Sequence, residues 1–143
     1  MRNIENLIHH GALVDPTTKA TTDAAGATNG NAVDLTNCAG ILWMLFVTDI
    51  NSATIDVVLQ TDDNSGMSSP STIQDEDGND LDLATAISAD GVYFFRAKSS
   101  ICEQYARAVV TDAGANAEFT LVELPYGPQY RPEYASADLL LEG

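Results

Sequence analysis

The chain has 143 residues, enough for one domain with a core of its own. Twenty-one acids against six bases give a formal net charge of −15. Such a charge repels a phosphate backbone and argues against direct nucleic-acid binding. No apolar run approaches the ~20 residues of a membrane-spanning helix; the longest, AGILWMLFV at 39–47, has the length of a buried strand.

Residues 1–20 read as an N-terminal arm. Ile4, Leu7 and Ile8 have helical spacing and form one short apolar stripe. Glu5, His9 and His10 interrupt that stretch, so it does not read as a signal peptide, and synthesis and retention in a cytosol are expected. Pro16 and the Thr-rich PTTKATTD segment end any helix. Residues 21–32 are small and polar, fitting an edge strand or a loop.

Strands follow in series. Residues 33–35 make a short one. Residues 39–48 are apolar on both faces, as in a central strand between two layers. In ATIDVVLQTDDNSG, Ile55, Val57 and Leu59 alternate with Thr54, Asp56 and Gln60, giving a half-buried strand over 54–61 that turns at 62–66. Residues 67–80 form a long polar connection. Further strands are predicted over 81–87, 92–97 (VYFFRA), 105–111 (YARAVVT) and 118–124 (EFTLVEL), parted by Gly and Asp turns. In the last, Phe119 and Leu121 share one side, Val122 and Leu124 the other. Trp43, Leu45, Ile55, Val57, Leu59, Phe94 and Val109 are the expected core. The fold class is therefore all-β: an antiparallel β-sandwich or jelly roll over 21–124 with extended N- and C-terminal arms.

From residue 125 the character changes to PYGPQYRPEYASADLLLEG. Proline lowers the entropy lost when such a segment docks, and aromatic rings anchor it. Residues 125–143 are thus expected to be an extended tail, with Tyr126, Tyr130, Tyr134, Leu139, Leu140 and Leu141 as interface residues alongside Ile4, Leu7 and Ile8 of the arm.

Catalytic parts are scarce. His9 and His10 are the only histidines, so a Ser-His-Asp or Cys-His set would have to draw on the arm. There is no P-loop, GxGxxG or HExxH. The stretch QDEDGNDLD offers Asp75, Asp77, Asn79, Asp80 and Asp82 as hard oxygen ligands. Counted from Asp75 as an EF-hand loop, however, the glycine and terminal glutamate positions hold Asp80 and Ala86, so an acidic solvated turn is the reading. Cys38 and Cys102 lack a CxxC or a nearby histidine and are expected as free thiols. No enzyme activity, metal or cofactor is expected. The charge excess reads as solubility, or more sharply as docking on a basic surface of a partner.

The order of segments resembles small tailed-phage capsid decoration (cement) proteins. The likeness spans residues 32–124 and rests on Val33-Asp34-Leu35, Leu59-Gln60 with Asp62-Asp63, and Tyr105, Arg107, Val109, Val110 and Thr111 with Gly114. The sequence departs from the family pattern at Ser99, Ser100, Ile101 and Cys102. The resemblance implies a virion protein on the outer capsid surface, assembled in the host bacterial cytoplasm. It would bridge major capsid protein subunits, with a dimer or trimer as the expected unit. A β-sandwich module recognising carbohydrate or a receptor is the alternative from another class.

Overall fold

The computed structural model describes residues 17–22, 26–50, 54–113 and 117–128, which form two antiparallel sheets and no α-helix. The strands are β1 (Thr17–Thr22), β2 (Gly26–Asn29), β3 (Val33–Asp34), β4 (Cys38–Ile50), β5 (Ile55–Asp62), β6 (Ser71–Thr72), β7 (Asp82–Ile87), β8 (Gly91–Lys98), β9 (Tyr105–Asp112) and β10 (Ala117–Pro128). A 3-10 turn, Ser99–Ile101, joins β8 to β9. The four-stranded sheet has the order β1-β10-β4-β8. The six-stranded sheet runs β2-β9-β5-β6, with β3 also on β9 and β7 also on β5. The all-β sandwich expected from the sequence is what forms.

The inner faces meet in one apolar cluster. The four-stranded sheet contributes Ile41, Trp43, Leu45 and Val47 from β4, Phe95 and Ala97 from β8, and Phe119 and Leu121 from β10. The other sheet contributes Ile55, Val57 and Leu59 from β5, and Ala106, Ala108 and Val110 from β9. The period-two spacing of these residues is the reason each strand buries one face. Val109 is also buried, but outside this cluster, opposite Val58 in the β5–β9 ladder.

Phe94 is not a core residue. It is 50 % exposed, while its neighbour Phe95 faces inward. Residues in register point to the same side of a sheet. Phe94 pairs with Met44, on the outer parity of β4, and Phe95 pairs with Trp43 on the inner parity.

The polar connection after β5 is more structured than its composition implies. Ile73 is fully buried, its N–H donating to the Leu59 carbonyl at 2.9 Å and its carbonyl accepting from Leu81 N–H at 2.7 Å. One apolar side chain thereby pins an otherwise solvated excursion to the core.

The divisions drawn after residues 20 and 124 both cut strands. β1 crosses the first, and its Thr17–Thr22 register against Glu123–Glu118 ties it to β10. β10 crosses the second, pairing Pro125 with Ile41 and Pro128 with Cys38. Ile4, Leu7, Ile8, Tyr130, Tyr134, Leu139, Leu140 and Leu141 lie outside the described residues, as do His9 and His10.

Candidate functional site

The outward face of the four-stranded sheet is apolar across three strands. On β4 the residues between the core positions are Leu42, Met44 and Phe46. Register sets Phe46 beside Val92 and Thr120, Met44 beside Phe94 and Val122, and Leu42 beside Arg96 and Leu124. A sheet facing water normally carries polar residues at such positions. Here the doubly apolar composition of 39–48 is explained by two buried or half-buried faces.

Exposure is graded along this face. Leu42 is 7 % and Leu124 4 % exposed, packed with Met44, Val122 and Tyr126 in a second, smaller cluster. At the other end Val92 is 48 % and Phe94 50 % exposed, the large hydrophobics most open to water among the described residues. Both belong to β8, the edge strand of its sheet.

Tyr126, one of the interface residues expected from sequence, sits on β10 at the covered end of this face. Its ring lies over Gly40, where an added Cβ would meet the phenolic oxygen at 2.7 Å and the Ala97 carbonyl at 2.5 Å. Burial raises the pKa of this phenol, and the Arg96 guanidinium nearby partly offsets the rise.

A second unusual feature lies between the sheets. Glu123 on β10 is fully buried. Its Oε1 accepts the Asn31 backbone N–H at 2.8 Å, linking the four-stranded sheet to the β2–β3 connection. Among the described residues its Oε2 has no hydrogen-bond partner, and neither does Nε1 of Trp43, the residue in register with it on β4. Burial pushes the Glu123 carboxyl up to about 7, with the Asn31 N–H acting weakly the other way. The side chain is held as a neutral acid at mildly acidic pH.

The acidic clusters are built as turns. Asp75 Oδ1 accepts N–H groups of Asp77 at 2.9 Å and Asn79 at 2.8 Å, and Asn79 Nδ2 reaches Oδ2 at 3.0 Å. The Asn79 side chain, then the backbone donors, hold the Asp75 carboxyl below its usual range. Asp62, Asp63 and Glu103 bring one carboxylate oxygen each within 4.8 Å of one another. Both Asp62 oxygens already accept backbone N–H bonds, from Asn64 at 3.0 Å and Ser69 at 2.8 Å. Those bonds end β5 and shape the following turn, a structural role for the Asp62-Asp63 pair.

Cys38 and Cys102 are free thiols. Cys38 Sγ donates to the Thr36 carbonyl at 3.7 Å and Cys102 Sγ to that of Lys98 at 3.3 Å. Burial raises both, Cys102 to about 11, so neither is a ready thiolate. Among the described residues, no helix is long and apolar enough to cross a membrane.

No protein-family model and no curated protein matches the chain. Among solved structures, similarity is found to Bacillus endospore appendages, described as disulfide-linked pili. Identity is 13 %, the TM-score 0.45, and the match covers 82 % of this chain and 89 % of that one. A second is the VP2 subviral particle of infectious bursal disease virus, at 12 % identity and TM-score 0.36, covering 78 % of this chain and 33 % of that one. At these scores neither carries a functional reading.

Proposed function

We propose that this chain is a structural virion protein that decorates a phage capsid, binding by burial of an apolar sheet face and bridging major capsid protein subunits. The observation that carries the reading is the open end of the outer face. Val92 and Phe94 stand half in water on an edge strand, with Arg96 on the same face. Large apolar side chains so placed gain free energy by burial against a partner, and a basic residue beside them gives orientation. The sequence resemblance of residues 32–124 to capsid decoration proteins supplies the kind of partner. The negative charge keeps free copies soluble before assembly.

The experiment is binding to expanded heads that lack the protein. Wild type should saturate them and raise the temperature at which they rupture. Phe94→Asp, at a position that tolerates exposure, should stay folded and lose binding. Full occupancy by the Phe94→Asp protein would remove the outer face from the interface. Saturation without any change in rupture temperature would favour attachment or glycan recognition, which a glycan array then tests directly.

A further inference from the structure

β8 ends the four-stranded sheet on the side away from β1. Among the described residues it is the longest edge strand, with eight residues against six in β1 and β7 and four in β2. Proline, bulges or a short length commonly keep an edge strand from pairing with another chain. β8 contains no proline, and its register against β4 runs unbroken from Gly91 beside Val47 to Lys98 beside Gly40. Exposure agrees with an open flank. Met44 and Phe46 on β4 are half-buried, while Phe94 and Val92, in register with them on the same face, stand exposed. A side chain on an inner strand has cross-strand neighbours on both sides, one on an edge strand on a single side.

We propose that this edge receives a second copy of the chain. β8 pairs antiparallel with β8 of the other copy about a two-fold axis through Phe94, joining the two four-stranded sheets into one. The inference goes beyond the proposed function and holds whether or not the partner is a capsid.

Symmetry and sequence together select the occupant and the register. In such a pairing each residue faces its mirror position in number about the axis residue. With Phe94 on the axis, residues 91–97 of one copy lie opposite 97–91 of the other. Phe94 meets Phe94, an aromatic cross-strand pair. Val92 lies opposite Arg96 and packs on its aliphatic stem. Lys98 lies opposite Asp90, the exposed residue just before the strand, and symmetry makes this match twice. On the inner side Tyr93, half-buried against the core, lies opposite Phe95.

Other axes do less. An axis through Phe95 keeps the length of pairing but sets Asp90 opposite Ser100 and Lys98 opposite Val92. An axis through Tyr93 matches Asp90 with Arg96 but shortens the pairing to residues 91–95. Lys98 already lies 4.0 Å from Glu76, with both side chains mostly in water, so turning it to Asp90 costs little. Two of the chain's six bases, Arg96 and Lys98, stand on this edge, which makes it a place where two strongly acidic copies can meet. Val92 and Phe94 stay perpendicular to the joined sheet, so the outer faces of two copies become one surface.

The test uses the full chain in solution without a capsid. Sedimentation equilibrium from micromolar to millimolar concentration should show monomer passing to dimer. Lys98→Asp and Asp90→Lys each set like charges opposite one another at both ends of the pairing, and each should weaken the dimer about tenfold. The double variant carrying both changes exchanges the charges and should restore the wild-type affinity. Loss of the Glu76 contact is common to it and to Lys98→Asp, so that loss does not account for a difference between them. Amide hydrogen exchange should slow with rising concentration at alternate residues of β8, those turned away from β4. A chain that stays monomeric, a trimer, or a dimer indifferent to the single reversals would overturn the proposal. Failure of the double variant to recover would overturn it equally. None of these readouts involves a capsid, so failure to bind heads would leave them untouched.

Discussion

Replacing Glu123 by Gln tests whether a buried neutral acid sets the pH dependence of stability. The carboxyl is raised from 4.5 to about 7 by burial between the sheets. In the unfolded chain the same group gives up its proton near its ordinary value. Between those two pH values the folded state holds a proton that the unfolded state has released. The contribution is therefore fully present below about pH 4.5, falls as pH rises, and levels off above about pH 7. A gap of about 2.5 pH units at 1.36 kcal/mol each gives a loss of ~3 kcal/mol across that window, an upper figure if the site relaxes when charged. Glutamine keeps an acceptor for the Asn31 N–H and cannot ionise. Urea unfolding of both proteins at pH 4.5, 6 and 8 isolates the effect, because self-repulsion from the rest of the −15 charge is nearly common to both. The variant should gain on the wild type by ~2–3 kcal/mol between pH 4.5 and 8. Parallel pH curves for the two proteins would refute the reasoning. The raised group is distinct from Asp34, Asp62 and Asp75, whose lowered values act in the opposite sense and below pH 4.

Other expectations follow from packing. Leu59, 2 % exposed at the centre of the cluster, should cost about 2–5 kcal/mol when cut to Ala in chemical denaturation. Phe94→Ala, on the open face, should cost about 1 kcal/mol or less, although Phe94 and Leu59 are both large apolar residues in strands. Gly40→Ala should destabilise by about 1–3 kcal/mol, since the new methyl meets the Ala97 carbonyl and the Tyr126 ring, and Tyr126→Ala in the same chain should recover part of that loss. A chain cut to residues 17–128 should melt well above one cut to 21–124, because the shorter one loses part of β1 and the last four residues of β10; equal melting temperatures would show that these pairings contribute little.

How much of this could be read from sequence depended on whether one face of a strand was clearly apolar. β5 was legible because Ile55, Val57 and Leu59 alternate with polar neighbours. β8 was legible as a strand but not in phase. VYFFRA offers an aromatic residue to each side, and only its register against Trp43 and Met44 decides that Phe95 goes in and Phe94 out. β1 was missed because TTKATT has no apolar period; its conformation comes from the edge of β10 rather than from its own side chains. The end of β10 was misplaced because proline argues against a strand. Beyond Glu123 its described partner is β4 alone, so prolines there interrupt no ladder on the β1 side. Glu123 itself left a signal that went unused. It shares the inward parity of Phe119 and Leu121, and an acid in that phase marks either a buried polar link or a break in the strand.

The position of β10 also dictates when the protein can fold. It lies between β1 and β4, so these two strands, both early in the chain, have no common neighbour until residues 117–128 have been synthesised. β5 likewise waits for β9. During translation at about 5–20 residues per second, the edge of β4 that pairs with β10 therefore stays unpaired for several seconds, with the strand's apolar faces beside it. Completion of the four-stranded sheet waits for residues 117–128 and, being governed by distant pairings, is slow. On crowded polysomes the natural error is for β10 of one copy to fill the gap between β1 and β4 of another. A strand-exchanged dimer is the misassembly to look for when the protein is made at high yield.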